Sequence, residues 1–130
     1  MNLHLDEKIV IVTGGAKGIG EGIVKALSEE NAIPVIIGRS ESDNVKALES
    51  ISGKGFQVVA ELTDPVECES AIRKVIEKFG RIDGLVNNAG VNDGVGLENG
   101  CYEDFLASLH KNVVHYYLMA HHALPYLKKS

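Results

Sequence analysis

Short runs of branched apolar residues alternate along the chain with longer stretches whose apolar positions recur every three to four residues. Runs of the first kind suit strands buried on both faces, and stretches of the second suit helices with one buried face. The runs predict strands at Ile9–Thr13, Pro34–Gly38, Phe56–Ala60 and Gly84–Asn87. Helices are expected over Gly18–Asn31, Ser42–Ser52 and Pro65–Phe79, with a long one over Tyr102–Lys128 that bends before Pro125. Ile19, Ile23, Ala26 and Leu27 share the inward face of the first helix, and Val45 and Leu48 that of the second. Asp64-Pro65 is a helix start, with Asp64 as cap and Pro65 in the first helical position. Gly53-Lys54-Gly55 forms a turn, and a glycine-rich loop covers Val91 to Gly100. Strands separated by amphipathic helices predict a parallel sheet covered on both faces, a three-layer α/β fold wound in both directions.

Composition narrows this picture. The 130 residues are 45% hydrophobic, which suits one domain with a real core. The net charge is −5 and no basic cluster occurs, which argues against nucleic acid as a partner. No apolar run approaches the length of a membrane span, and Met1–Glu7 lacks a signal-peptide pattern. Cys68 and Cys101 are far apart and read as free thiols in a reducing cytoplasm. His110, His115, His121 and His122 fall on one helix, but none are three or four residues apart, so no metal site is expected.

The chemistry begins where the first strand ends. Residues 13 to 20 read Thr-Gly-Gly-Ala-Lys-Gly-Ile-Gly. The first turn of a helix has N–H groups without intrahelical partners, and with the helix dipole they form an anion site suited to a pyrophosphate. Gly14 allows the tight turn, Gly18 lets phosphate approach the backbone, and Gly20 lets helix pack on strand. The spacing Gly-x-x-x-Gly-x-Gly is neither Gly-x-Gly-x-x-Gly nor a P-loop. An ordinary strand-to-helix turn would also use glycine. A second motif, Asn87-Asn88-Ala89-Gly90, closes the fourth strand about 70 residues further on.

The pair of motifs resembles the short-chain dehydrogenase/reductase family, and the resemblance runs from about Leu5 to Lys129 through Asp64 and Asn112. It implies a Rossmann-like NAD(P)-binding domain over residues 1–130, with only the first four strands and helices of the family's sheet. By that resemblance Gly14, Gly18, Ile19 and Gly20 form the cofactor-binding glycine turn that receives the pyrophosphate, and Lys17, inside the same loop, is a cofactor-binding cation near the 2′ position. Glu61 accepts the adenine amino group where the family has Asp, and the N–H of Leu62 bonds the ring. A solvated strand end is the plain alternative for Glu61. Asn88, Ala89 and Gly90 lie along the adenosine ribose. Asn87 ties the fourth strand to its neighbours, and Asp83 is structural. NAD enzymes place an acid after the second strand, where this chain has Gly38 followed by Arg39. Arg39 and Lys17 favour the 2′-phosphate of NADP, with NAD as the alternative and solvated surface cations as the plain reading.

In the family a mid-helix Asn distorts its helix and holds a water that relays protons to a catalytic Lys. Asn112 matches it, with a surface Asn as the plain reading. The family's Ser and Tyr-x-x-x-Lys have no counterpart here: the residues four after Tyr102, Tyr116, Tyr117 and Tyr126 are Leu106, Ala120, His121 and Ser130. The resemblance implies hydride transfer between nicotinamide and a small alcohol or carbonyl. The segments Gly90–Gly96 and His115–Ala120 resemble L-fucose dehydrogenases and related sugar dehydrogenases. A dinucleotide-binding module or sensor without turnover, or an inactive fragment, is the rival reading. The apolar faces of the long helix suit a homo-oligomer, dimer or tetramer.

Overall fold

The computed structural model describes residues 1–130. Four parallel strands, β1 (Ile9–Thr13), β2 (Ile33–Gly38), β3 (Phe56–Val59) and β4 (Gly84–Val86), form a sheet in the order β3-β2-β1-β4. Helices α1 (Gly18–Glu29) and α2 (Glu41–Glu49) cover one face. Helices α3 (Pro65–Phe79) and α5 (His115–Leu127) cover the other, and α4 (Tyr102–Leu109) precedes α5. This is the three-layer, Rossmann-like sheet the strand pattern predicts. The chain runs outward from β1 to β3, then returns to place β4 on the other side of β1. That reversal opens a crevice beyond the carboxyl ends of the strands.

Strand alternation builds two cores. Ile9, Ile11, Val35 and Ile37 point toward α3 and α5, where Ile72, Val75 and Met119 meet them. Val12 and Ile36 point the other way, against Val24 and Ala47. Cys68 is fully buried in the larger core, and burial, helped by the charges of Asp64, Glu67 and Glu61, pushes its thiol up to about 11. It is an inert packing group at neutral pH.

Several boundaries and faces differ from expectation. α1 stops at Glu29 because Asn31 turns left-handed (φ 63°) and Ala32 N–H returns to Leu27 O. β2 begins one residue early, where Ile33 pairs with Ile9. Pro34 is tolerated there because Ile33 donates toward β1, so the missing N–H faces the β3 side, where pairing starts only at Val35. The inward face of α1 is Gly20, Val24 and Ser28. Close packing at Gly20 sets that rotation and turns Ile19 out to 79% exposure, with Ala26 also exposed. In α2 the inward residues are Asn44 and Ala47; Leu48 is half-buried and Val45 exposed. Three hydrogen bonds from the Asn44 amide to the ends of β2 and β3 fix that orientation. The expected long helix is two helices joined by a π turn over His110–Val114, and α5 continues through Pro125 to Leu127. Asn87 ties the end of β4 to its neighbour α5: its Nδ2 donates to Tyr116 O at 3.1 Å.

At the other end of the sheet, Asp83 clamps the starts of β1 and β4. Its side chain is 6% exposed, accepts Ile9 N–H at 2.8 Å and takes a forked ion pair from Arg81. Burial pushes its carboxyl up, but the Arg81 hydrogen bond, the Ile9 N–H and the charges of Arg81 and Lys8 outweigh that and hold it below the usual value. A depressed folded value means stability present above about pH 4 and lost as pH falls through the folded value. Asp83→Asn is expected to cost about 1–3 kcal/mol at pH 7. Denaturant unfolding at pH 7 and pH 3 checks this: the gap between variant and parent should close in acid.

Candidate functional site

The crevice is built from four strand ends. Thr13 locks two of them together. Its Oγ1 accepts the N–H groups of Asn88 and Ala89, each at 3.0 Å, and donates to Val86 O at 3.4 Å. Asn88 answers with its amide, donating to Thr13 O at 3.1 Å and Gly14 O at 3.2 Å. Gly14 N–H donates to Ile37 O at 2.8 Å, so the turn is held from β2 as well.

The glycines divide as their spacing implies. Gly14 has φ +66°, and a Cβ there would lie 2.9 Å from Ala89 Cα. A Cβ on Gly20 would overlap the Gly14 carbonyl oxygen. Gly18 has φ +56° and faces open space, with nothing in the chain within 4 Å of an added Cβ. No side chain caps α1, and the N–H groups of Gly18, Ile19 and Gly20 have no acceptor within the chain. Three free donors at the positive end of a twelve-residue helix form an anion cradle with room in front of it.

Above the cradle lies a cleft of about 770 Å³. That is within the range of small-molecule sites, roughly 300–1,000 Å³. Gly14, Lys17, Ile19, Arg39, Glu61, Leu62, Asn88, Ala89 and Gly90 all line it. Gly18 and Gly20 shape its floor from the turn without lining it. Leu62 N–H donates to nothing in the chain, so one free backbone donor stands at the far end.

The two cations are not free. Lys17 Nζ lies 3.1 Å from Asp43 Oδ2, and Arg39 Nη1 lies 4.0 Å from Glu61 Oε2. The Lys17 hydrogen bond, with its charge and a further bond to Ser40, holds the Asp43 carboxyl below its ordinary value against the opposing effect of burial. Glu61 is partly committed: its Oε1 accepts Thr63 Oγ1 at 2.9 Å and Thr63 N–H at 3.4 Å.

Asn112 stands behind the cleft wall, in the middle of the π turn. Its Oδ1 accepts Val91 N–H at 2.6 Å, and its Nδ2 donates to Ser108 O at 3.0 Å. Ser108 Oγ in turn reaches Asp93 Oδ1 at 3.2 Å. One side chain therefore holds the widened turn and ties it to the loop after β4. Asn is a poor helix former, and it is used here where the helix is interrupted.

Besides Asp43, four residues hold roles at this site that sequence reasoning missed. Thr13 opens the glycine motif, but its bridge from β1 to the segment after β4 forms only in the fold. Ser40 caps α2, accepting Asp43 N–H at 3.2 Å, and the Ser-x-x-Asp spacing was a readable signal for it. Asn44 is fully buried and its Oδ1 has no partner; no local pattern announces that. His115 lines the cleft with its ring 1% exposed and Nε2 2.9 Å from Lys111 O. The carbonyl accepts from Nε2, and buried Nδ1 has no partner in the chain.

Comparison with known proteins agrees with this geometry. The family model described as short chain dehydrogenase matches residues 8–130. The chain is 33% identical to 3-oxoacyl-[acyl-carrier-protein] reductase FabG of Thermotoga maritima, over 98% of this chain and 53% of that protein. It is 35% identical to L-fucose dehydrogenase of Bos taurus, over 95% of this chain and 46% of that protein. The chain thus spans about half the length of the curated relatives it matches. Among solved structures, the Cj0485 dehydrogenase is similar at TM-score 0.91 and 42% identity, over 99% of this chain and 50% of that one. A reductase solved with NAD (26% identity, TM-score 0.88, 99% of this chain and 55% of that one) shares the fold. So does Pseudomonas aeruginosa RhlG solved with NADP (29%, 0.88, 97% and 50%).

Proposed function

The chain belongs to the short-chain dehydrogenase family, and from that premise we propose that it supplies the dinucleotide site of an NAD(P)-dependent oxidoreductase acting on a secondary alcohol or carbonyl. The observation that carries this is the anion cradle: free N–H groups at Gly18–Gly20, beside a cleft that Gly14, Lys17 and Ile19 of the same turn line and that reaches the strand ends. Bound there, the cofactor supplies or accepts the hydride. The chain's own groups bind and orient it. Gly14 and Gly18–Gly20 take the pyrophosphate, Asn88–Gly90 the ribose, and Leu62 N–H with Glu61 the adenine. The cleft fits such a group, since a side chain on Gly18 would fill space that the chain itself leaves empty.

Asn112 acts in this reading by holding the π turn and the 91–96 loop in place, and a proton relay would rest on that turn. A sugar such as L-fucose is the substrate we favour, from the resemblance of Gly90–Gly96 and His115–Ala120 and the 35% identity with a relative of that name. The free thiols Cys68 and Cys101 suit a reducing, cytoplasmic setting. No helix is long and apolar enough to cross a membrane. Exposed Phe105, Tyr117 and Leu124 on α4 and α5 favour a homo-oligomer, since apolar patches of this kind mark interfaces.

For the cofactor we favour NADP over NAD. The second strand ends at Gly38, with no acid for a ribose hydroxyl, and any Cβ there would press on Asn44 Oδ1 at 2.7 Å. Arg39 is held by Glu61 only at 4.0 Å, with 71% of its side chain exposed, so its fork can turn to a phosphate. NADP is expected to bind more tightly than NAD, and Arg39→Asp to reverse the order. Equilibrium titration of both dinucleotides tests this, and an unchanged order in the variant sinks the assignment.

A further inference from the structure

We propose that Asp43 is an internal occupant of the 2′-phosphate subsite, a specificity-determining residue whose carboxylate holds Lys17 and so weakens discrimination in favour of NADP. The inference rests on the dinucleotide reading above and concerns the same cleft. Lys17 and Asp43 both line it, one from the glycine turn and the other from α2. Their contact, 3.1 Å from Nζ to Oδ2, bridges the glycine turn to the first turn of α2.

Asp43 is not a loose surface acid. It is the third residue of α2, and the Ser40 cap fixes its backbone through the 3.2 Å bond from Asp43 N–H to Ser40 Oγ. Its side chain is 38% exposed, against 77% for Lys17, so the acid is the fixed member and the lysine the one drawn to it. In a capping box the third-position acid reaches back to the cap's own N–H. Here the carboxylate turns across the cleft to the lysine instead.

The consequence follows from charge and from hydrogen-bond capacity. A 2′-phosphate brings a second anion to the place where a carboxylate already sits on the cation. It must break the Lys17–Asp43 pair and then lie beside Asp43. A 2′-hydroxyl does neither: it is neutral, and it can donate to the Asp43 carboxylate while the pair stays intact. The two cations therefore differ. Arg39, 4.0 Å from its acid, is the available phosphate ligand, and Lys17 is the occupied one. Specificity set by a repulsive group as well as an attractive one is a common arrangement.

The test is a titration of the whole protein with NAD, NADP, adenosine 2′,5′-bisphosphate and adenosine 5′-phosphate. It compares parent, Asp43→Asn, Lys17→Ala and the double variant. Asn keeps the size of Asp and leaves the Ser40 cap untouched, and thermal unfolding of each variant verifies the fold. Asp43→Asn should tighten NADP and the bisphosphate by about two- to fivefold, the scale of one exposed charge pair. NAD and adenosine 5′-phosphate, which offer Asp43 a 2′-hydroxyl in place of a phosphate, should not tighten. In the Lys17→Ala background the same substitution should give a smaller gain for NADP. A ratio of NADP to NAD affinity unchanged in a folded Asp43→Asn variant overturns the role of Asp43 and leaves the dinucleotide reading standing. Failure of the parent protein to bind any of the four nucleotides overturns both.

Discussion

Gly20→Ala is expected to destabilise the protein by about 2–3 kcal/mol or more and to abolish dinucleotide binding, although it adds a single methyl group. The added Cβ would overlap the Gly14 carbonyl oxygen and lie 2.5 Å from Asn88 Nδ2 and 2.9 Å from the Gly14 carbonyl carbon. None of these can yield cheaply. Gly14 is pinned by its N–H bond to Ile37 O, and its carbonyl by the Asn88 amide. Asn88 is held by Thr13 in turn. Pushing the helix away would open the packing of Val24 against Val12 and Ile36. A loss on this scale is a large part of a net stability of about 5–15 kcal/mol. Gly22→Ala is the control. It lies in the same helix with nothing within 4 Å of its Cβ, and it should stabilise by about 0.4–1 kcal/mol. Urea unfolding of the two variants measures the contrast. Equal stability for both would mean that the turn is not packed as described.

That contrast also shows what the sequence could and could not disclose. Strand identity was legible because Ile9–Thr13 and Ile33–Gly38 are branched apolar runs buried on both faces, a pattern with no helical counterpart. The start of α3 was legible because Asp64 and Pro65 act locally: Asp64 Oδ1 accepts Val66 N–H at 2.9 Å. The inward faces of α1 and α2 were less so. Periodicity finds a stripe but not which edge of it meets the sheet, and close contact at Gly20 and the Asn44 amide decided that. The π turn escaped because an inserted residue leaves apolar spacing nearly unchanged; only Asn112, a poor helix former, marked it. At the site, the glycines and Arg39 stand out by residue type and spacing, and Asn88 only through the family resemblance. Asp43 does not, and although Glu61 is named for the adenine its pairing with Arg39 is not visible either, since both acids meet the cations only in the folded chain.

Gly18→Val separates binding from folding at the same turn, and its effect on binding is expected to be the largest of any single exposed position. Nothing in the chain lies within 4 Å of the added Cβ, so no packing is disturbed. The backbone is a different matter. Gly18 has φ +56°, and a left-handed conformation costs a side chain about 1–2 kcal/mol, more for a branched one. Stability should therefore fall by about that amount and the fold should survive. Binding should fall much further. Valine's methyl groups would stand in the open space ahead of the free N–H groups of Gly18, Ile19 and Gly20, where the anion has to come within hydrogen-bond distance. Losing one or two hydrogen bonds to a charged phosphate is worth about 1.5–3 kcal/mol each, so affinity should drop by about a hundredfold. Gly18→Ala should fall between parent and valine variant in both respects. Titration with NADP alongside thermal unfolding reads both quantities in one set of samples. A folded valine variant that binds NADP as tightly as its parent would place the phosphates away from this turn, and the anion cradle would lose its role.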